Sequence, residues 1–372
     1  MKKVCIVTAA RSEYGLLRWL IEEVEKDQRL TLQLVVTGSH LSPEFGMTYL
    51  EIEKDGYKID EKIDLSLTTS TKEEIVKAMG ICSIGFSETF SKLNPDIVVV
   101  LGDRYELLPI CGAALLMDIP IAHISGGDVT VGAIDDQIRN AVTMMATLHF
   151  PGVKSSADRI ERMTGSDNNI YTVGEPGLDS FNRLELWSRQ KLAEDLVLDS
   201  SKKWVLMTYH PETRLSLDEN LFTINNIIDG FNMAEDIQVI VTGANSDYGG
   251  TQINNFLKKM VLINSSKYKF FINLGQIRYL SVMKQIEYLI GNSSSGIVEA
   301  PFLSKPVINI GVRQKGRYTS PNIINCSNDL SSISNAIDQI QRMEVISDTY
   351  YGDGNSSLRI KNVLVEYLSH CC

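Results

Sequence analysis

The chain has 372 residues, 44% of them hydrophobic and 22% charged, with a formal net charge of −10. That length suits two globular domains, each large enough to bury a core of its own. The acidic balance, with no cluster of Lys and Arg interleaved with aromatics, argues against a nucleic-acid partner, and no apolar run approaches membrane-spanning length.

The opening MKKVCIVTAARSEYG carries two lysines and a short apolar run, which reads as a first β-strand, Lys3 to Thr8, rather than as a signal segment. Glu13 to Lys26 follows with Leu16, Leu17, Leu20, Ile21 and Val24 at helical spacing. The turn between them puts Arg11 and Ser12 at the strand's carboxyl end, where open α/β sheets bind ligands. Arg11 there is either a solvated loop residue or a cation that meets an anion. Leu32 to Thr37 is the next strand, Gly38 to Pro43 opens a second helix, and a long helix covers Lys72 to Leu93.

Asp96 to Leu101 (DIVVVL) is an apolar strand of the parallel-sheet kind, and it runs into Gly102-Asp103-Arg104. Asp103 suits either a helix cap with its ion pair or a site acid. After a helix Glu106 to Met117 and a strand Pro120 to Ile124, the segment SGGDVTVGAIDDQIRNA gathers Asp128, Asp135 and Asp136 around a helix start. Acids there are ordinarily dipole partners; beside Gly126-Gly127, which leaves room for a ligand, they point to a site. A helix Asp135 to Leu148, a strand-like His149-Phe150, a helix near Ser155 to Met163 and a strand Ile170 to Gly174 complete this series.

From Glu175-Pro176-Gly177 the pattern restarts. Helices and a polar linker precede strands 204–209, 237–242 and 269–273, which alternate with helices 217–233, 251–263 and 277–285. His210 stands where the first of these strands meets its loop, and Asn245 repeats that position one unit later. A lone histidine is commonly structural, but at a carboxyl edge its natural job is to neutralise a departing phosphate. Ile286 to Arg317 organises this half: a strand Tyr288 to Ile290, the turn Gly291-Asn292-Ser293-Ser294-Ser295-Gly296, a short helix, a strand Pro306 to Ile310 and a basic loop with Arg313, Lys315 and Arg317. Such a turn aims backbone N–H groups and hydroxyls at one point, which suits a phosphate. Glu299, one helical turn after Ser295, is placed to accept both hydroxyls of a ribose. Ser-rich turns also serve as plain helix caps; the basic loop one strand later favours a diphosphate.

Two β/α series of similar size predict an α/β protein of two Rossmann-like, doubly wound domains facing a cleft, residues 1–175 and 176–354, with the last helical pattern, 355–372, crossing back to the first. No Walker motif, zinc spacing or GxSxG elbow occurs, and the absence of a Gly-x-Gly-x-x-Gly fingerprint argues against a tightly bound nicotinamide. Cys5, Cys82, Cys111, Cys326, Cys371 and Cys372 lack metal-like spacing, and the expectation is a reduced, cytoplasmic protein.

Together, TAARSEYGLL, VVLGDRYELL, HISGGDVTVGAIDDQIRNA, YHPET, LIGNSSSGIVEAP, PVINIGVRQKGR and YGDGNSS make a sequence that resembles the hydrolysing UDP-N-acetylglucosamine 2-epimerases of sialic and related nonulosonic acid synthesis, over nearly the whole chain. The resemblance implies a fold like the GT-B glycosyltransferases, UDP held mainly by the second domain, no nicotinamide or other cofactor, no required catalytic metal, and a homodimer or homotetramer. It implies anti elimination of UDP from UDP-N-acetylglucosamine to 2-acetamidoglucal, then hydration to N-acetylmannosamine. Residue by residue, it implies that Asp103 and Asp135 are acid or base, that His210 lies near the diphosphate, and that Ser293, Ser294 and Glu299, with neighbouring Ser295 and Gly296, form the uridine diphosphate site. Arg313 is implied near the uracil or phosphate and Arg11 near the diphosphate.

Some members carry a glutamate where this chain has Ser125, and Asp128, three residues on, is the nearest carboxylate to take that role. The same reaction on UDP-2,4-diacetamido-2,4,6-trideoxyglucose is an alternative, since nothing in the motifs reads the far edge of the sugar. A GT-B glycosyltransferase and a non-catalytic UDP-sugar sensor are two further readings. UDP-N-acetylglucosamine is preferred as the commoner substrate of the resembled group.

Overall fold

The computed structural model describes residues 1–66, 71–129, 134–212, 214–232, 236–245 and 249–370, the side chain of Glu44 aside. Thr213, Ser246, Asp247, Cys371, Cys372 and residues 130–133 of the acid-rich segment lie outside the described residues. The chain divides into two compact units, Met1–Asn182 with Tyr350–Cys372, and Arg183–Thr349.

The first unit carries β1 (Lys2–Thr8), β2 (Leu30–Thr37), β3 (Glu61–Ile63), β4 (Ile97–Leu101), β5 (Ile121–Ile124) and β6 (Leu148–Phe150). They form one sheet in the order β3-β2-β1-β4-β5-β6, every pairing parallel. Register is fixed at the centre by Val4↔Ile97 and Ile6↔Val99 on one side of β1 and Val4↔Leu32 on the other. Alternate side chains feed two cores. Val4, Ile6, Ile97 and Val99 pack with Leu17, Leu20, Ile21 and Val24 of the helix Arg11–Lys26 and with Ile360, Leu364 and Leu368 of the helix Ser356–His370. Cys5, Val7, Val98 and Val100 pack with Phe86 and Phe90 of the helix Lys72–Leu93, Ile110 of Leu107–Leu116 and Val142 of Ile134–Met145. With both faces covered, the strands read as continuous apolar runs. The carboxylate of Asp179, fully buried, accepts the N–H groups of Ser356 and Ser357 at 2.8 and 2.7 Å and so caps the final helix from outside it.

The second unit carries β7 (Lys203–Thr208), β8 (Ile237–Thr242), β9 (Tyr268–Phe271), β10 (Tyr288–Gly291), β11 (Val307–Ile310) and β12 (Ile323–Cys326). Its order is β12-β11-β10-β7-β8-β9, again all parallel. Val205, Met207, Val239, Val241, Ile290 and Ile308 pack against Ile224, Ile227 and Phe231 of the helix Leu217–Asn232 and Ile333 and Ile337 of Leu330–Ile340. Both sheets therefore follow the doubly wound order 3-2-1-4-5-6, which reverses between β1 and β4 in one and between β7 and β10 in the other. Ligands of such sheets sit at the carboxyl ends of the two strands at that reversal.

Differences from the sequence-based expectations lie at the margins. Gly38 to Pro43 forms two 3-10 turns, Gly38–Leu41 and Pro43–Phe45, and the helix begins later, at Tyr49. Ile170 to Gly174 is not a strand; only Ile170 bridges, to His149. The double glycine is a place of close approach within the fold: a Cβ on Gly127 would lie 2.3 Å from the Ser156 carbonyl, and one on Gly126 2.9 Å from His123 Nδ1.

Three histidines of the first unit, His40, His123 and His149, are buried, and burial holds each down to about 4. Unfolded imidazoles take up protons near pH 6.5, so between that value and 4 the unfolded chain binds more protons and stability falls as pH drops. Buried Glu13, which burial pushes up to about 7, works the other way and offsets part of the loss. We expect roughly 3 kcal/mol less stability at pH 5 than at pH 7. Urea midpoints at the two pH values check this, and a midpoint that is flat or higher at pH 5 contradicts it.

Candidate functional site

At the reversal of the first sheet, β4 ends at Leu101 and is followed by Gly102, whose φ of 82° turns the chain so that Asp103 stands just past the strand. The Asp103 carboxylate pairs with the guanidinium of Arg139, a residue only 6% exposed on the helix Ile134–Met145. The same guanidinium donates to the Asp128 carbonyl at 3.0 Å, and Arg159 donates to that carbonyl at 2.9 Å. Asp128 also accepts the Ser156 hydroxyl at 2.6 Å. Burial raises the Asp103 pKa, the Arg139 charge opposes that, and the charges of Asp135 and Asp128 raise it further. The charges of Asp128 and Asp135 thus act on Asp103, whose carboxylate Arg139 holds. A carboxyl raised in this way, as that of Asp103 is, exchanges protons more readily at neutral pH than an isolated one does. Ser125, at the end of β5, sits in left-handed backbone with φ 57° and donates its N–H to the Phe150 carbonyl at 3.0 Å.

The end of β1 is built differently. Glu13 is buried, and its carboxylate accepts the N–H groups of Ala9 and Ala10 at 2.7 and 3.2 Å. Those N–H groups are the ones an anion would meet at such a turn, and the chain's own carboxylate fills the place. Arg104 lies 3.9 Å from Glu13 and 2.8 Å from Glu106, which is fully buried. Arg11, expected near the anion, instead pairs with Glu51 at 3.0 Å on an exposed surface.

At the reversal of the second sheet the expected residues come together. Gly291, with φ 141°, passes so close to β7 that a Cβ would lie 2.0 Å from the Thr208 carbonyl. Asn292 follows, fully buried. Its side-chain amide accepts the His210 N–H at 2.7 Å and donates to the His210 carbonyl at 2.8 Å. Its own carbonyl accepts Arg313 at 3.2 Å and Gln314 at 2.9 Å. One residue therefore ties the histidine strand end, the serine turn and the basic loop. Ser293 accepts the Ser295 N–H at 3.3 Å and caps the 3-10 turn Ser294–Gly296, while Ser294 stays exposed. Burial raises the Glu299 pKa, and Arg317 and a hydrogen bond with Ser295 oppose it.

His210 Nδ1 accepts the Asn245 N–H at 3.1 Å, which in the neutral ring leaves the proton on Nε2 as a donor. Glu212, also buried, accepts the Val312 N–H at 3.3 Å, and Gly311 leaves no space for a side chain beside it. Burial raises the Glu212 pKa, against the Val312 N–H and the Arg313 charge. An anion placed at this turn meets N–H groups, hydroxyls, an imidazole and a guanidinium.

Arg139, Asn292 and Glu212 were not singled out from sequence. Arg139 carried a signal, since an arginine between Ile138 and Val142 on an amphipathic helix is a buried charge that needs an acid. Asn292 gave none beyond its place in a turn. Among the described residues, no three His, Cys, Asp or Glu side chains converge as a metal site, and no helix is long and apolar enough to cross a membrane.

Two Rossmann-order sheets, one with coupled acids at its reversal and the other with an anion-type turn at its own, define a two-domain protein of the GT-B-like class. The chain belongs to the UDP-N-acetylglucosamine 2-epimerase family, whose model matches residues 22–365. It is 39% identical over 343 residues to a GDP/UDP-N,N′-diacetylbacillosamine 2-epimerase (hydrolyzing) of Campylobacter jejuni, covering 92% of this chain and 88% of that one. It is 30% identical over 365 residues to a UDP-N,N′-diacetylbacillosamine 2-epimerase (hydrolyzing) of Legionella pneumophila, covering 98% and 96%. The fold matches the UDP-GlcNAc 2-epimerase from Neisseria meningitidis bound to UDP-GlcNAc with a TM-score of 0.80, 17% identity and coverage of 98% and 100%.

Proposed function

We propose that this chain is a hydrolysing 2-epimerase of UDP-2,4-diacetamido-2,4,6-trideoxyglucose, that is, UDP-N,N′-diacetylbacillosamine, yielding UDP and the 2,4-diacetamido-2,4,6-trideoxymannose epimer. The observation that carries the substrate is the 39% identity to a relative of that name, with a second such relative at 30%. This reverses the preference for UDP-N-acetylglucosamine reached from sequence, which stays as the second reading because the family model bears that name.

In the proposed reaction a base takes the C2 proton, the C1–O bond breaks and UDP leaves, giving the glycal. Water then adds to C1 while an acid returns a proton to the other face of C2. Asp103 and its coupled neighbours Asp128 and Asp135 are assigned the proton transfers, with burial of Asp103 in support. The leaving diphosphate is assigned to the second unit: His210 through Nε2, the backbone and hydroxyls of Ser293, Ser294, Ser295 and Gly296, and Arg313, with Glu299 on the ribose and Asn245 orienting His210. Arg11, paired with Glu51, is assigned no more than a long-range part. The cytoplasmic setting is kept in the proposal on the strength of four free cysteines, Cys5, Cys82, Cys111 and Cys326. The homo-oligomer is kept as well: Val76, Ile84, Leu116, Ile134 and Met144 leave apolar surface exposed on adjoining helices of the first unit.

UDP release from each of the two sugar nucleotides tests the substrate. We expect kcat/KM to favour the diacetamido trideoxy sugar by about tenfold or more; equal or reversed preference overturns that choice. Arg313→Ala is expected to weaken UDP binding by about 10- to 100-fold, the loss of one charge-assisted pair. Unchanged affinity in a UDP titration removes Arg313 from the site.

A further inference from the structure

Asp103 follows Gly102, and both backbone groups of that glycine are held by β5. The two strands run in parallel, with Val100 opposite His123 and Leu101 opposite Ile124. The Gly102 N–H donates to the Ile124 carbonyl at 3.0 Å, and the Gly102 carbonyl accepts Nε2–H of His123 at 2.8 Å. At φ 82° the glycine has left the strand, so its carbonyl takes a donor from outside the ladder. His123, with no solvent exposure, supplies that donor. A carbonyl can only accept, so the ring proton sits on Nε2 and leaves Nδ1 as an acceptor. The Thr143 hydroxyl, fully buried as well, donates to Nδ1 at 3.2 Å. Burial holds the ring down to about 4 and so keeps it neutral, with one donor and one acceptor.

Thr143 stands one helical turn after Arg139 on the helix Ile134–Met145, and Arg139 is the partner of the Asp103 carboxylate. The contacts therefore close a ring. Asp103 is held at its backbone through Gly102 and His123 and at its carboxylate through Arg139, and one helix carries both supports. A Cβ on Gly126 would lie 2.9 Å from Nδ1 and 3.1 Å from the Thr143 hydroxyl, so only glycine lets the chain close over this pair. We propose that His123 is a positioning residue for Asp103: its Nε2–H fixes the Gly102 carbonyl and the Thr143 hydroxyl fixes the ring, so that the carboxylate meets C2 of the sugar in one geometry. This rests on the proton-transfer role assigned to Asp103. A misplacement near 1 Å costs a proton transfer far more than it costs binding.

The test is steady-state turnover of UDP-N,N′-diacetylbacillosamine, read per folded molecule beside urea unfolding, in the full chain. We expect His123→Leu to lower kcat about 100-fold with KM within about threefold of wild type. Thr143→Val, which leaves the histidine in place, should lower kcat about tenfold and leave UDP affinity unchanged. Thr143→Ser loses a buried methyl and should unfold at lower urea, yet it keeps the hydroxyl and should keep kcat within about twofold. Wild-type kcat in Thr143→Val overturns the proposal, and so does an equal loss in the serine and valine variants, which would place the effect in packing. Wild-type protein that releases UDP from neither this sugar nucleotide nor UDP-N-acetylglucosamine overturns the assigned reaction and the proposal with it, a failure distinct from a variant that turns over like wild type.

Discussion

Asp103→Asn is expected to lower kcat by about 1,000-fold or more, the scale on which a positioned acid or base acts. The substitution keeps the shape of the side chain and one acceptor oxygen and removes only the charge and the proton-carrying capacity. Arg139 keeps the Asp128 carbonyl at 3.0 Å and the Asp136 carboxylate at 4.0 Å. The buried guanidinium is therefore not abandoned, and the fold should lose only about 1–2 kcal/mol. Steady-state turnover beside urea unfolding separates the two effects. Turnover within tenfold of wild type sinks the role given to Asp103. A large loss of stability would make Asp103 an ion-pair partner of Arg139 first.

Asn292→Ala is expected to have the largest effect on stability. The side-chain amide satisfies both backbone groups of His210, at 2.7 and 2.8 Å, from a position with no solvent exposure. Alanine removes both bonds and opens a small void between β7 and β10, a combined cost of about 2–4 kcal/mol. UDP affinity should fall with it, because His210 and the serine turn are joined through this one amide. Urea unfolding and a UDP titration check the two halves of the prediction. A variant that keeps wild-type stability and UDP affinity would show that the strand ends hold themselves.

The expectation of two doubly wound sheets could be read from DIVVVL and from the run before GNSSSG, because a strand buried on both faces is apolar throughout. Two edge strands escaped that reading. β3 is only Glu-Lys-Ile and β12 is Ile-Ile-Asn-Cys, each too short and too polar to show a period. The serine turn stood out because its small residues break an apolar frame. What held it together did not stand out, since Asn292 and Glu212 act through backbone groups far away in sequence. Gly126-Gly127 shows a related limit: a glycine pair marks close approach, and only the fold reveals that the Ser156 carbonyl is what lies against Gly127 on its Cβ side. Arg11 illustrates the limit of a positional argument, because the strand end it follows is already occupied by the carboxylate of Glu13.

The central claim is elimination followed by hydration, with a proton exchanged at C2. A proton NMR time course in D2O with UDP-N,N′-diacetylbacillosamine tests it most directly. The expected products are a free 2,4-diacetamido-2,4,6-trideoxymannose with deuterium at C2 and one UDP per sugar. UDP released with the original proton still at C2 and the gluco configuration retained would contradict it and make the enzyme a simple hydrolase or transferase.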